Sequence, residues 1–209
     1  MQAVVIREHG DTDRMEVHDN WPDPVAGPGS VVVAVKACAL NYHDLFTLRG
    51  MPGITIPFPI IMGIDIAGEI VEIGPDVDGW KVGDRVLIDP YDTVENKLVG
   101  EMMDGGLADF VAVHARTLMH LPDEVSFADA AALPVAYGTA YRMMMTRGQI
   151  QADEKVLVLG ASGGVGTGCV QLARLAGAHV IAAASSEAKL RAASRWVPMR
   201  ASTTRATTS

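Results

Sequence analysis

The stretch from Lys155 to Ala173 constrains the fold of this chain more than any other. Lys155–Leu159 is an apolar run rich in Val and Leu, bounded by a charge and a glycine, which is typical of a fully buried strand. A glycine cluster at 160–166 then turns the chain, and apolar residues at helical spacing follow it. A strand, a glycine turn and a helix N-terminus surround one point with free backbone N–H groups and the positive end of the helix dipole. This segment therefore predicts an anion-binding site.

A second predicted strand, His179–Ala184, follows the helix, so that strand, turn, helix and strand form a βαβ unit. This pattern indicates that the anion is the pyrophosphate of a dinucleotide. Gly163 would let the backbone approach the pyrophosphate, and Gly166 would let the helix lie close to the strand. The first glycine of the usual G-x-G-x-x-G pattern is replaced by alanine. The alternative is a tight turn that binds nothing. The predicted cofactor-binding residues of the turn are Ala161, Ser162, Gly163, Gly164, Val165 and Gly166.

The end of the second strand indicates which dinucleotide is bound. An acidic residue there would bind the ribose hydroxyls of NAD, but the chain has Ala184, followed by Ser185, Ser186 and Lys189. Small hydroxyls and a cation suit a 2′-phosphate, so NADPH is the predicted cofactor, with Ser185 and Lys189 as ligands. The alternative for Lys189 is an ordinary solvated helix lysine.

Charge and hydropathy restrict the partners. The net charge of −8 argues against nucleic acid or an anionic membrane as the main partner. No apolar run approaches membrane-spanning length, and the first residues lack the features of a signal peptide. We expect a cytoplasmic protein with a small-molecule substrate and neither a membrane nor a nucleic-acid partner.

The chain before the βαβ unit predicts a different architecture. Short strands with turn signals between them indicate a small barrel or sandwich. The predicted strands are Ala3–Arg7, Ser30–Ala39, Ile64–Ile73, Arg85–Ile88 and Leu107–Val113. Ser126 and Asp129 are placed to cap a helix over Phe127–Leu133, and Pro134 begins another helix that ends by Gly148. The predicted domains are residues 1–125, 126–194 and a disordered tail, 195–209.

Several segments, in order along the chain, carry a family resemblance. They are Ala39–Leu45, Pro59–Gly68, Val82–Val86, Gly105–Val111, Ala130–Pro134, Thr139–Tyr141 and Gly160–Gly166. As a set they resemble the medium-chain dehydrogenase/reductase superfamily, in its zinc-independent quinone oxidoreductase branch. The resemblance implies an α/β plus β fold, with a GroES-like β-barrel catalytic domain followed by a Rossmann (doubly wound) domain that is incomplete here.

Two positions separate this chain from the zinc alcohol dehydrogenases. Asn41 stands where those enzymes carry a cysteine, and Gly63-Ile64-Asp65 replaces their Gly-His-Glu triplet. Neither an amide nor isoleucine is a serviceable catalytic zinc ligand. We therefore predict no metal and disfavour a zinc-type alcohol dehydrogenase, although His43, Asp44 and Asp65 leave a weak possibility of zinc.

Without a Lewis acid, hydrogen bonds must stabilise the substrate oxygen during hydride transfer. The resemblance implies that Asn41 and Tyr42 are the donors near the nicotinamide, that Asp44 orients its neighbours, and that Thr139 faces the cofactor. The alternative for Asn41 is an N-cap of a short helix, and His43 is expected to be an exposed or packed histidine. The sequence offers no strong proton donor, so water or substrate would supply the proton.

The resemblance stops after Ala193, where the family text continues Leu-Gly-Ala-Asp and this chain reads Ser194–Ser209. One permitted back-translation of Arg195–Thr204, read from the third base, gives Leu-Gly-Ala-Asp-Ala-Gly-Ile-Asp-Tyr, so we predict a frame-shifted, C-terminally truncated chain. The predicted function is reduction of a quinone, enone or similar carbonyl compound, with turnover impaired by truncation. The alternative is a non-catalytic GroES-like remnant. A homo-oligomer is expected only with a complete Rossmann domain.

Overall fold

Antiparallel strands occupy the first part of the chain and parallel strands the second. The computed structural model describes residues 1–194 and 200–203, which form two units that divide between Pro134 and Val135. The strands and α-helices are, in order, β1 (Ala3–Ile6), β2 (Glu16–His18), β3 (Ser30–Ala39), α1 (Tyr42–Arg49), β4 (Ile60–Ile61), β5 (Asp65–Ile73), β6 (Arg85–Ile88), β7 (Tyr91–Asp92), β8 (Lys97–Leu98), β9 (Phe110–His114), β10 (Leu118–His120), α2 (Phe127–Ala131), α3 (Thr139–Tyr141), β11 (Lys155–Leu159), α4 (Gly164–Leu175), β12 (His179–Ala184), α5 (Glu187–Ser194) and β13 (Arg200–Thr203).

The first unit is built on a five-stranded antiparallel sheet in the order β10-β6-β5-β3-β9. A second antiparallel sheet, β2-β1-β4, joins it where the Val4 N–H donates to the Leu107 carbonyl. Alternate residues of the long strands point into one core, which is typical of antiparallel sheets with one buried face. The buried side chains of that core are Val31, Val33, Ile66, Ile70, Val86, Ile88, Val99, Val111, Val113 and Leu118. This confirms the predicted GroES-like β-barrel.

Two of the strands predicted in the first unit, Ser30–Ala39 and Arg85–Ile88, have the predicted bounds. The strand predicted over Leu107–Val113 instead begins at Phe110. The reason is that the N–H groups of Gly105, Gly106 and Leu107 donate to carbonyls at residues 61–63, at and just after the end of β4, rather than to β3.

The helix after the barrel is capped as the sequence predicts, since the Ser126 hydroxyl accepts a hydrogen bond from the Asp129 N–H at 3.1 Å. The helix itself is shorter than predicted and ends at Ala131. Ala130 and Ala131 are buried against Ala67 of β5. The first unit extends to Pro134, because this helix packs on the barrel.

The second unit contains a parallel sheet in the order β11-β12-β13, with Val158 opposite Ala182. Two π-helical segments flank α3, Pro134–Gly138 before it and Arg142–Arg147 after it. The predicted helix therefore does begin at Pro134. Helix α4 packs on the sheet through Cys169, Val170 and Ala173. This strand–helix–strand arrangement confirms the predicted start of a Rossmann domain.

The face of β11 that points away from α4 is exposed in the part of the chain that the structure describes. Leu157 and Leu159 are 58% and 70% exposed, whereas Val158 between them is buried. Of the tail predicted to be disordered, Arg200–Thr203 forms a third parallel strand beside β12, which corrects the prediction for those four residues. The predicted frame shift begins at residues 195–199, which lie outside the described residues.

Within residues 1–194 and 200–203, no helix combines the length and apolar character needed to cross a membrane.

Replacing Ile70 with alanine tests the barrel core. Ile70 is fully buried, and removing its side chain leaves a cavity, so we expect the free energy of unfolding to fall by about 2–5 kcal/mol. Urea unfolding followed by tryptophan fluorescence measures this. The control is Val17→Ala, whose side chain is 75% exposed and should change stability by at most about 0.5 kcal/mol. Equal effects of the two variants would contradict the assigned core.

Candidate functional site

Three segments far apart in sequence meet at Gly63 in the first unit. Its φ of +99° lies in the region that favours glycine, and a Cβ there would come within 2.8 Å of both the Cys38 Sγ and the Leu107 backbone nitrogen. The Gly106 N–H donates to the Gly63 carbonyl at 2.9 Å. The chain segments that contain Cys38, Gly63 and Gly106 therefore meet at one place, which a side chain at Gly63 would not permit.

Asn41 lies at the centre of this site. It is the N-cap residue of α1, as the alternative sequence interpretation predicted, with extended backbone angles. Its backbone N–H donates to Asp44 Oδ2 at 2.7 Å, and its side-chain Nδ2 donates to the buried Asp65 Oδ2 at 2.9 Å. One amide hydrogen of Asn41 is therefore engaged by Asp65, and its other amide hydrogen has no partner among the described residues.

Asp44 is a buried carboxylate with only 4% of its surface exposed. Its Oδ1 has no hydrogen-bond partner among the described residues. Burial raises the pKa of Asp44, and the Asn41 N–H and the charge of His43 oppose the rise. Because Asp44 holds the start of α1 through Asn41, its contacts suit the predicted role of orienting its neighbours.

The other two groups near Asn41 differ in accessibility. Tyr42 is 69% exposed, and its ring contacts the Phe46 ring edge-to-face at 5.3 Å. Cys38 lies inward, and burial, together with the charges of Asp44 and Asp65, raises the pKa of its thiol to about 12. Tyr42 is thus available to a ligand, whereas Cys38 stays a protonated thiol at neutral pH.

Sequence reasoning missed one member of the site, Glu101. Its carboxylate is buried, and its Oε2 lies 2.6 Å from His43 Nε2 and 3.5 Å from the Thr47 hydroxyl. Glu101 belongs to the turn after β8, which has no motif of its own. Only the fold brings it to α1, so no pattern in the sequence indicated the pair.

The glycine turn of the second unit is a strand-to-helix corner, as predicted. Gly163 caps α4, but its N–H donates to the Gly160 carbonyl at 2.9 Å and is not available to a ligand. The N–H groups of Gly164, Val165 and Gly166 form the first turn of α4 and have no partner among the described residues. Unpaired N–H groups at a helix N-terminus favour an anion, so these three, rather than the Gly163 N–H, are the candidate anion-binding groups.

The glycines of the turn allow close backbone packing and leave open space because they carry no Cβ. A Cβ at Gly166 would lie 2.2 Å from the Gly160 carbonyl oxygen, so the helix packs closely on the end of β11. A Cβ at Gly163 would meet only that same oxygen, at 3.5 Å, and otherwise open space. This open cradle, bordered by free N–H groups, fits the pyrophosphate of a dinucleotide.

The remaining predicted cofactor residues lie at several separate positions in the second unit. The Ala161 N–H donates to the Ala183 carbonyl and so ties β11 to β12, while Ser162 is exposed. Lys189 Nζ donates to the Ser185 hydroxyl at 3.1 Å, so these two predicted ligands lie together after β12. Thr139 is exposed at the start of α3.

An open pocket beside the turn is lined by Met143, Leu157, Leu159, Gly160, Gly163 and Gly166.

The first unit does not fit the zinc ion of alcohol dehydrogenases. Asn41 is engaged by Asp65, and Ile64 is a fully buried apolar side chain. In residues 1–194 and 200–203, no three His, Cys, Asp or Glu side chains are grouped closely enough to hold a metal ion.

A GroES-like barrel followed by a dinucleotide-type βαβ unit defines the class of protein. Residues 27–123 match the family model of the alcohol dehydrogenase GroES-like domain. A solved structure titled crystal structure of AibC is 36% identical, with a TM-score of 0.89 over 100% of this chain and 62% of that one.

Three curated relatives agree with this class. A zinc-type alcohol dehydrogenase-like protein of Schizosaccharomyces pombe is 33% identical over 91% of this chain and 58% of its own length. The 2-methylene-furan-3-one reductase of Solanum lycopersicum is 36% identical over 91% of this chain and 48% of its own length. The chloroplastic quinone-oxidoreductase QR1 of Triphysaria versicolor is 34% identical over 89% of this chain and 56% of its own length. The chain belongs to the medium-chain dehydrogenase/reductase superfamily, with relatives in its quinone oxidoreductase-like branch, and spans about half the length of these relatives.

Replacing Asp44 with asparagine tests the buried carboxylate. A folded-state pKa raised above the usual 3.8 means that the stability contributed by protonated Asp44 is lost as pH rises through the folded value. We therefore expect Asp44→Asn to become more stable relative to the unmodified chain as the pH rises above about 4 and through the raised folded-state pKa of Asp44. Urea unfolding at a series of pH values measures this, with the exposed Asp13→Asn as control. A difference independent of pH would contradict it.

Proposed function

We propose that this protein is an NADPH-dependent oxidoreductase that transfers hydride to a quinone, an enone or a similar small carbonyl compound. The single observation that carries the proposal is the cradle at Gly163–Gly166, where three unpaired N–H groups border the open space beside Gly163. When bound there, the dinucleotide supplies a hydride. The residues that would hold its pyrophosphate are those of the first turn of α4.

The substrate end of the proposal rests on Asn41 and Tyr42. Asn41 has one engaged and one free amide hydrogen, and the Tyr42 side chain is exposed. Donors held in fixed positions stabilise the charge that develops on a carbonyl oxygen, because they need no reorganisation during the reaction. Asp65 and Asp44 provide that fixation for Asn41. The names of the tomato and Triphysaria relatives support an enone or a quinone as substrate.

NADPH is proposed over NADH because of the groups that follow β12. Ser185 and the Lys189 ammonium are already hydrogen-bonded to each other, and residues 184–186 include no carboxylate to receive ribose hydroxyls. A hydroxyl and a cation suit a phosphate dianion.

Turnover by this 209-residue chain is proposed to be low. The open face of β11 carries Leu157 and Leu159, and the same strand ends in the glycine turn. The second candidate function, a GroES-like remnant without catalysis, is favoured by that exposed face. Cofactor binding separates the two candidates, because the remnant should not change NADPH fluorescence.

The variant Gly163→Ala tests the cradle. Its new methyl group has room in the protein but would occupy the space of the pyrophosphate, so we expect an unchanged Tm and a Kd for NADPH raised by about tenfold, or about 1.4 kcal/mol. Fluorescence titration and thermal unfolding measure the two quantities. The matched control is Gly27→Ala in the first unit, where a Cβ would meet nothing within 4 Å. Unchanged affinity in Gly163→Ala would refute the cofactor site.

The variant Lys189→Ala tests the choice of cofactor. Loss of a charge-assisted hydrogen bond to the 2′-phosphate should weaken NADPH binding by about tenfold and leave NADH binding unchanged. Titration of both cofactors measures the ratio. The control is Lys97→Ala, since Lys97 pairs with Glu95 on the surface of the first unit. Tighter binding of NADH than of NADPH by the unmodified chain would overturn the assignment.

A further inference from the structure

His43 and Glu101 form a pair that the proposed function does not yet use. His43 is the second residue of α1, and its side chain is 29% exposed, whereas the Glu101 side chain is 3% exposed. The two are joined by a hydrogen bond of 2.6 Å between His43 Nε2 and Glu101 Oε2. A buried carboxylate must be hydrogen-bonded or paired with a cation. Glu101 obtains this from His43, with the Thr47 hydroxyl nearby.

This contact fixes which ring nitrogen exchanges protons. An ionised carboxylate only accepts, so Nε2 carries the hydrogen that lies between His43 and Glu101. The proton that comes and goes is therefore the one on Nδ1. Among the described residues, Nδ1 has no hydrogen-bond partner. A carboxylate behind an imidazole, with the far nitrogen free, is the arrangement in which histidines act as acids and bases.

The pair lies on the helix that carries the proposed substrate donors, and the Tyr42 and His43 rings both contact the Phe46 ring, at 5.3 and 5.9 Å. Asn41 caps α1, and Tyr42 and His43 are its first two residues, so all three belong to one turn of backbone. The ionisable groups that face His43 are Glu101 from the turn after β8 and Asp44 from α1 itself.

Other acids near Asn41 are less suited to donate a proton. The Cys38 thiol has a pKa of about 12, and Asp44 is buried, with its Oδ2 engaged by the Asn41 N–H. His43 combines partial exposure with a fixed orientation.

We propose that His43 is the acid that protonates the substrate and that Glu101 is the residue that positions it. The proposal rests on the proposed function for the hydride. Once hydride has reached the β-carbon of an enone, the double-bond electrons form an enolate. The Nδ1–H bond of His43 breaks, its hydrogen joins the α-carbon, and the electron pair stays on Nδ1. Neutral His43, still bonded to Glu101 through Nε2–H, then regains a proton from water at its exposed edge.

Proton donation can be tested without cofactor, because its reverse is removal of an α-proton from a saturated ketone. The 209-residue chain is incubated with 2-pentanone in D2O, and loss of the α-hydrogen signal is followed by proton NMR. We expect the chain to accelerate exchange above buffer, His43→Asn to lower the enzymatic rate by about 100-fold, and Glu101→Gln to lower it by about tenfold. Glu101→Asp should restore part of the loss.

The matched control is His18→Asn. His18 Nε2 also lies close to a glutamate, Glu16 Oε2 at 2.9 Å, but that pair is on the surface of β2. Exchange by His18→Asn should equal that of the unmodified chain. Exchange no faster than buffer, or equal in His43→Asn and the unmodified chain, would overturn the proposal. Exchange without NADPH binding would instead refute the proposed reductase and leave His43 as an acid–base group.

Nitrogen NMR of the unmodified chain gives a second readout that does not depend on a variant folding. Neutral His43 should carry its hydrogen on Nε2, and Glu101→Gln should give a mixture of tautomers with unchanged circular dichroism. A neutral His43 protonated on Nδ1 would contradict the assigned roles.

Discussion

The close approach of backbone at Gly63 is the constraint on which the first unit's site depends. Cys38 and Leu107 lie so near that a Cβ would overlap both. This contact brings β3, the segment before β5 and the Gly105–Leu107 loop together, and it places Asp65 within reach of Asn41. Burying carboxylates is costly unless each is hydrogen-bonded. Asn41 offsets that cost for two of them, because its backbone N–H donates to Asp44 and its side-chain Nδ2 donates to Asp65.

The candidate sites of the two units differ in the charge of their surroundings. Around Asn41, three carboxylates are buried, those of Asp44, Asp65 and Glu101, and the pKa values of Asp44 and Cys38 rise with burial. Such a surrounding disfavours anionic ligands and suits neutral oxygen acceptors held by fixed donors. The turn before α4 has the opposite character, with unpaired N–H groups and no carboxylate within residues 160–166. A reaction between a neutral carbonyl compound and a phosphate-bearing cofactor matches this division.

The sequence predicted local features well and long-range contacts poorly. The strands Ser30–Ala39 and Lys155–Leu159 followed from their apolar runs. The prediction that Lys155–Leu159 is fully buried is wrong, since Leu157 and Leu159 are exposed in the described residues. The N-cap role of Asn41 followed from residue type. Glu101 could not be found, since its partner is 58 residues away and only the barrel joins them. Which N–H groups of the glycine turn are unpaired could not be predicted either, because the Gly163–Gly160 hydrogen bond depends on the exact backbone path.

The uncovered face of β11 links the stability of the second unit to its binding site. Parallel sheets are normally covered on both faces, but in the described residues Leu157 and Leu159 project from the face opposite α4. Burying each side chain would contribute about 1.5–3 kcal/mol. The same strand leads directly into Gly160, whose carbonyl accepts the Gly163 N–H and so shapes the cradle. Opening of β11 would therefore deform the anion site, and a ligand bound to the cradle would in turn stabilise β11, because binding to the folded form alone raises stability.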